Sequence, residues 1–176
     1  MNQWMILVGA FFHKKHKPNF SRSAYVNQKA EILGKVFVGE NSNIGQSKII
    51  AEDNHTIIIG RNTTIKNHVL IKVKTIHESK LDQINGIFIG NKVFISSEVF
   101  IYGPTVIADD TFIGSRTTIS NAAIGTNCLI EDNVYIKNVL IPSGTVIPSK
   151  SYIDSTEKLN QIISNNSEAN FCEFKC

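Results

Sequence analysis

Isoleucine or valine recurs every six residues along most of the chain. The beat runs through Ile32, Val38, Ile44 and Ile50 and, after a three-residue insertion, through Ile59, Ile65 and Ile71. A longer excursion, VKTIHESKLDQINGIF, interrupts it once. It returns at Ile89, Ile95, Ile101, Ile107, Ile113 and Ile119, then closes through Ile124, Ile130, Ile136, Ile141, Ile147 and Ile153 with two five-residue steps. The residue after the beat is often small, as at Gly39, Gly45, Ala51, Gly60, Gly90, Ala108, Gly114 and Gly125. A period of six fits neither an amphipathic helix nor a simple two-residue alternation. It fits short strands joined by turns, each strand sending one aliphatic side chain to a shared interior. Strands stacked about 4.8 Å apart in this way form a parallel solenoid with a column of Ile and Val at its centre. Three beats make one coil, so the run from Ile32 to Ile153 predicts about six coils.

The beat stops at Ile153. DSTEKLNQII then reads as a helix, with Asp154 or Ser155 as cap, Glu157 in its first turn and Leu159, Ile162 and Ile163 on one face. The pattern places this helix along one side of the solenoid and leaves a loose tail beyond Asn165. The chain therefore divides into an N-terminal apolar and basic segment (1–23), a β-helix (24–153) and a C-terminal helix and tail (154–176).

Composition agrees with strands and tight turns: Ile, Val, Thr and Asn are plentiful beside little Ala and few Leu. At 176 residues the chain is long enough for one well-buried domain and short for two. A net charge of +3 is too weak to argue for a nucleic-acid partner. The opening WMILVGAFF is too short to span a bilayer, which needs about 20 apolar residues. Its positive charge, HKKHK, follows the apolar run, whereas a secretory signal carries charge before it. The segment is expected to pack on the domain or on a neighbouring subunit. Of three cysteines, Cys128 lies within the repeat and Cys172 and Cys176 close the chain. That set fits a reducing compartment, cytoplasm or organellar matrix, although a Cys172–Cys176 disulfide stays open in an oxidising one.

Hexapeptide repeats of this kind resemble the left-handed β-helix family, and the handedness is part of that resemblance. Within it, KIIAEDNHTIIIG and IYGPTVIADDTFIGSRTTISNAAIG look like the γ-class carbonic anhydrases, and most like the N-terminal domain of the carboxysome assembly protein CcmM. The similarity runs from about Phe20 to Ile163. It implies a homotrimer with zinc between subunits, two histidines coming from one chain and a third from its neighbour. Neutral imidazoles hold such a metal, which lowers the pKa of its water to about 7 for attack on carbon dioxide.

The matching positions here are Lys72, Ser97 and Tyr102, none a histidine. A protonated lysine has no lone pair for zinc, and neutral serine and tyrosine hydroxyls are poor ligands. The family's Arg and Asp correspond to Ile50 and Glu52, and its Gln-Asp to Lys66 and Asn67. The expectation is a β-helix without zinc and without hydration activity, in which Lys72 pairs with Glu98 or another carboxylate. Lys72, Tyr102 and a neighbour's Ser97 also form a candidate site for bicarbonate or another small anion. Of His13, His16, His55, His68 and His77, His55 and His68 show no tight ligand spacing for a replacement metal, while His13 and His16 could meet one, with a basic flexible segment as the plainer account.

Two functional classes follow. The first is a catalytically degenerate trimer acting as an assembly platform, with carboxysomal or complex-I-type protein partners implied by the resemblance. The second is an enzyme: a carbonic anhydrase with a rearranged metal site, or a hexapeptide-repeat acyltransferase using His77 beside Glu78 as its base.

Overall fold

The computed structural model describes residues 16–52, 54–73 and 86–173, the last eight for their backbone alone. The WMILVGAFF segment, His13, His77, Cys176 and the side chain of Cys172 lie outside the described residues.

The chain winds into a parallel β-solenoid of about seven turns. Three seven-stranded sheets form its sides, and each strand pairs only with strands one coil before and after. The coil ahead of Ile32 is supplied by the short strands Asn19–Phe20 and Tyr25–Val26. Most strands have two to four residues, because a six-residue beat leaves room for only one inward side chain and a turn.

The beat becomes three interior columns. In the first sheet Val38, Ile59, Ile89 and Ile107 lie in register, continued by Ile124 and Ile141. The second sheet stacks Val26, Ile44, Ile65, Ile95, Ile113, Ile130 and Ile147. The third stacks Ile32, Ile49, Ile71, Ile101, Ile119, Ile136 and Ile153. From Ile44 to Ile153 these side chains are essentially sealed from solvent. Ile50, read above as a beat position, is a correction. Ile49 enters the core at 0 % exposure, and Ile50 faces outward in register with Leu33 and Lys72. The step from Ile44 is therefore five residues, and the insertion before Ile59 is one residue longer than the spacing implied.

The corners explain the asparagines. Twelve non-glycine residues among those described have positive φ, and six of them are Asn, including Asn41, Asn62, Asn127 and Asn133. Left-handed backbone at a tight corner costs a short polar side chain less than a branched one. Buried hydroxyls tie successive coils: Thr63 donates to the Gly90 carbonyl at 2.8 Å and Thr111 to that of Gly125 at 2.9 Å. Coils approach so closely at the corners that a Cβ on Gly60 would lie 2.5 Å from the Gly90 carbonyl carbon.

The C-terminal helix, Thr156–Glu173, is capped by Ser155, whose hydroxyl accepts the Lys158 amide at 3.4 Å. Leu159 is buried and Ile162 and Ile163 are partly so, packed against the last coil near Val146–Ile147 and Tyr152–Ile153. The backbone stays helical to Glu173 instead of loosening after Asn165.

Candidate functional site

Ile71 and Ile101 are adjacent members of the third-sheet column, so the residues after them face outward one above the other. Lys72 and Tyr102 are direct ladder partners, flanked by Ile50 below and Ser120 above. Tyr102 is 36 % exposed. Its carbonyl accepts the Thr105 hydroxyl at 2.6 Å, which fixes the chain just beyond the strand.

The Lys72 ammonium is already engaged. Its Nζ lies 2.7 Å from Oε1 of Glu52, with both side chains about one-third exposed. The partner is Glu52, not Glu98, which sits at a corner with positive φ. The alignment of Ile50 with Lys72 decides this, because it carries Glu52 to the end of the neighbouring strand. Lys66 is turned elsewhere, 5.5 Å from the Phe94 ring centroid, and Asn67 accepts the Gln46 amide at 2.9 Å.

Ser97 lies on the corner ahead of strand Phe100–Tyr102, where its carbonyl accepts the Arg116 amide at 3.1 Å. It is off the outward column that holds Lys72 and Tyr102, so one chain aligns two of the three matched residues. An anion entering beside Lys72 has to compete with Glu52. As a zinc donor set the residues do not fit: an ammonium held by a carboxylate, a phenol and a corner serine provide no neutral nitrogen or thiolate.

The described histidines do not converge either. His55 follows the third sheet, its Nδ1 3.0 Å from the Glu52 carbonyl, while His68 occupies the corner between the second and third sheets. Among the described residues no group of three His, Cys, Asp or Glu side chains is placed to hold a metal. No described helix is long and apolar enough to cross a membrane.

The outer face of the first sheet has a different character. Phe37, Ile58, Phe88, Val106, Ala123 and Leu140 form an unbroken outward column. Phe37 and Ile58 are each 38 % exposed and Leu140 is 65 % exposed. The second sheet adds Phe94 stacked on Phe112 at 5.3 Å.

Solved structures share this winding. The chain superposes on a hexapeptide transferase family protein from Anaplasma phagocytophilum with a TM-score of 0.58 at 15 % identity, covering 86 % of this chain and 87 % of that one. A Bacillus cereus protein provisionally assigned as an acetyltransferase gives 0.60 at 19 % identity, with 89 % of each chain covered. The fold is that of the hexapeptide-repeat left-handed β-helix proteins. A Desulfovibrio desulfuricans protein, also provisionally assigned as an acetyltransferase, gives 0.60 at 18 % identity over 82 % of this chain and 32 % of its own. No family model matches the chain, and no curated relative does. Identities this low establish the winding and leave the chemistry to the chain's own residues.

Proposed function

We propose that the chain is a non-catalytic relative of the γ-class carbonic anhydrases, a trimeric β-helix that serves as an assembly platform. The observation that carries this reading is the Lys72–Glu52 pair at 2.7 Å, at the position that matches a family zinc histidine. A lysine engaged by a carboxylate of its own chain does the work of a strut. It neither donates a lone pair to a metal nor accepts a proton from water.

The apolar column on the first sheet supports the platform half of the proposal. Contiguous apolar surface of this kind favours burial against protein. A second copy of the chain is the simplest cover, and carboxysomal or complex-I-type partners follow from the sequence resemblance. Acyl transfer rests on His77, outside the described residues, and the acetyltransferase neighbours lend that reading their fold alone.

Carbon dioxide hydration measured on zinc-supplemented protein, beside its mass by light scattering, tests the proposal. The expected result is a trimer whose rate equals that of buffer. Hydration that rises in proportion to added zinc would overturn the reading, and saturable acetyl-coenzyme A binding would favour the acyltransferase.

A further inference from the structure

One coil is a residue short at the corner between the second and third sheets. Core to core, that corner takes six residues from Val26 to Ile32, from Ile65 to Ile71 and from Ile95 to Ile101. From Ile44 to Ile49 it takes five. The flanking coils turn through two residues, Gln28–Lys29 on one side and Asn67–His68 on the other, whereas the short coil bends at Gln46 alone. Where the missing residue would sit there is a cleft of about 360 Å³, bordered by Lys29, Glu31, Gln46, Lys48 and His68. A second cleft of about 380 Å³ shares Lys29 and Gln46 with the first and continues past Tyr25, itself 60 % exposed.

The floor of the notch is tied down. Ser47 donates its hydroxyl to the Lys66 carbonyl at 2.6 Å, and the His68 amide donates to the Gln46 carbonyl at 2.7 Å. These bonds tie the short coil to the one after it. Cations outnumber carboxylates around it. Lys48 pairs with Glu31 at 2.8 Å, but Lys29 has no carboxylate within ion-pair distance among the described residues. The His68 imidazole and the Gln46 side-chain carboxamide border the cleft on the other side.

We propose that this notch binds a small oxyanion, a phosphate or carboxylate group, on a molecule whose neutral part lies in the second cleft beside Tyr25. The lysines, the imidazole and the carboxamide border the cleft from three coils, and such groups supply charge-assisted hydrogen bonds to an oxyanion. The site lies where strands enter the third sheet, while Lys72 stands nearer their exit, so it is independent of the metal question.

Amide chemical shifts followed during titration with phenyl phosphate, benzoate and inorganic phosphate, at constant ionic strength, test the proposal. Saturable shifts centred on Gln46 and Lys48 are expected with at least one aromatic probe, and the tighter of the two identifies phosphate or carboxylate as the natural group. Inorganic phosphate should bind more weakly than phenyl phosphate, since it leaves the second cleft empty. Lys29→Gln together with His68→Asn, which keeps a residue suited to the positive φ of that corner, should weaken binding about tenfold while leaving the melting temperature unchanged. Inserting one glycine after Gln46 restores the two-residue turn and should abolish binding. Shifts that stay linear with every probe, binding undiminished in the double variant, or saturable shifts centred on Lys72 would each overturn the proposal.

Discussion

Two adjacent isoleucines decide the register of the second coil, and truncating each in turn distinguishes the two alternatives. Ile49 is 0 % exposed between Ile32 and Ile71 in the third-sheet column, so Ile49→Ala leaves a void that neighbours on fixed coils fill poorly. Removing such a buried side chain costs about 2–5 kcal/mol, by lost burial and by the residual cavity. Ile50 faces outward beside Leu33 and Lys72 and is half-buried, so Ile50→Ala forfeits part of one side chain's burial, about 1 kcal/mol or less. For a chain of this size each kcal/mol moves the melting temperature by roughly 2–4 °C, so the two variants should separate by several degrees. Urea unfolding followed by circular dichroism gives both free energies, and an unchanged slope shows that the unfolding reaction is the same. Ile50→Ala costing as much as Ile49→Ala would refute the five-residue step, and with it the notch and the alignment of Ile50 with Lys72 that brings Glu52 to the lysine.

Three further outcomes follow from the same structure. Gly60→Ala should destabilise by about 2 kcal/mol or more in the same unfolding assay, because its Cβ meets the Gly90 backbone at 2.5 Å and backbone cannot rotate away. A double-mutant cycle on Lys72→Met and Glu52→Gln should give a coupling of about 0.5–1 kcal/mol, small because both groups are one-third exposed, and it should shrink in molar salt. A coupling of zero would remove the strut. The Asn91 amide and side chain donate to Asp109 at 2.8 and 3.1 Å and hold its carboxyl below the usual value. Its contribution to stability is therefore complete above the ordinary aspartate pKa of about 3.9 and is lost as pH falls through the depressed native value. Asp109→Asn should remove that acid-dependent component from a melting-temperature profile between neutral pH and the acid limit.

Most of the fold was legible because a solenoid repeats one local decision. Each coil has the same need for an inward aliphatic residue and a tight polar corner, so spacing alone reports the winding and its extent. Spacing failed where two Ile stand side by side. Ile49 and Ile50 satisfy a six-residue or a five-residue step equally, and only pairing with Ile32 and Ile71 selects between them. The helix outran its predicted end because SNNSEANFCE holds no Gly or Pro to stop it. Stacking of Lys72 on Tyr102 followed from the beat. The choice of Glu52 as partner did not, since it depends on the misread step. The notch was invisible for the same reason: Lys29 and His68 are far apart in sequence and become neighbours only when the intervening coil loses its corner residue.

The zinc content of the purified protein, expressed with zinc supplied and measured by elemental analysis beside its oligomeric mass, bears most directly on whether this is a scaffold or an enzyme. The expected result is a trimer carrying far less than one zinc per chain, with no change on Tyr102→Phe. About one zinc per chain, lost on that same substitution, would contradict the reading of the Lys72–Glu52 pair as a strut and would restore a metal centre to this face.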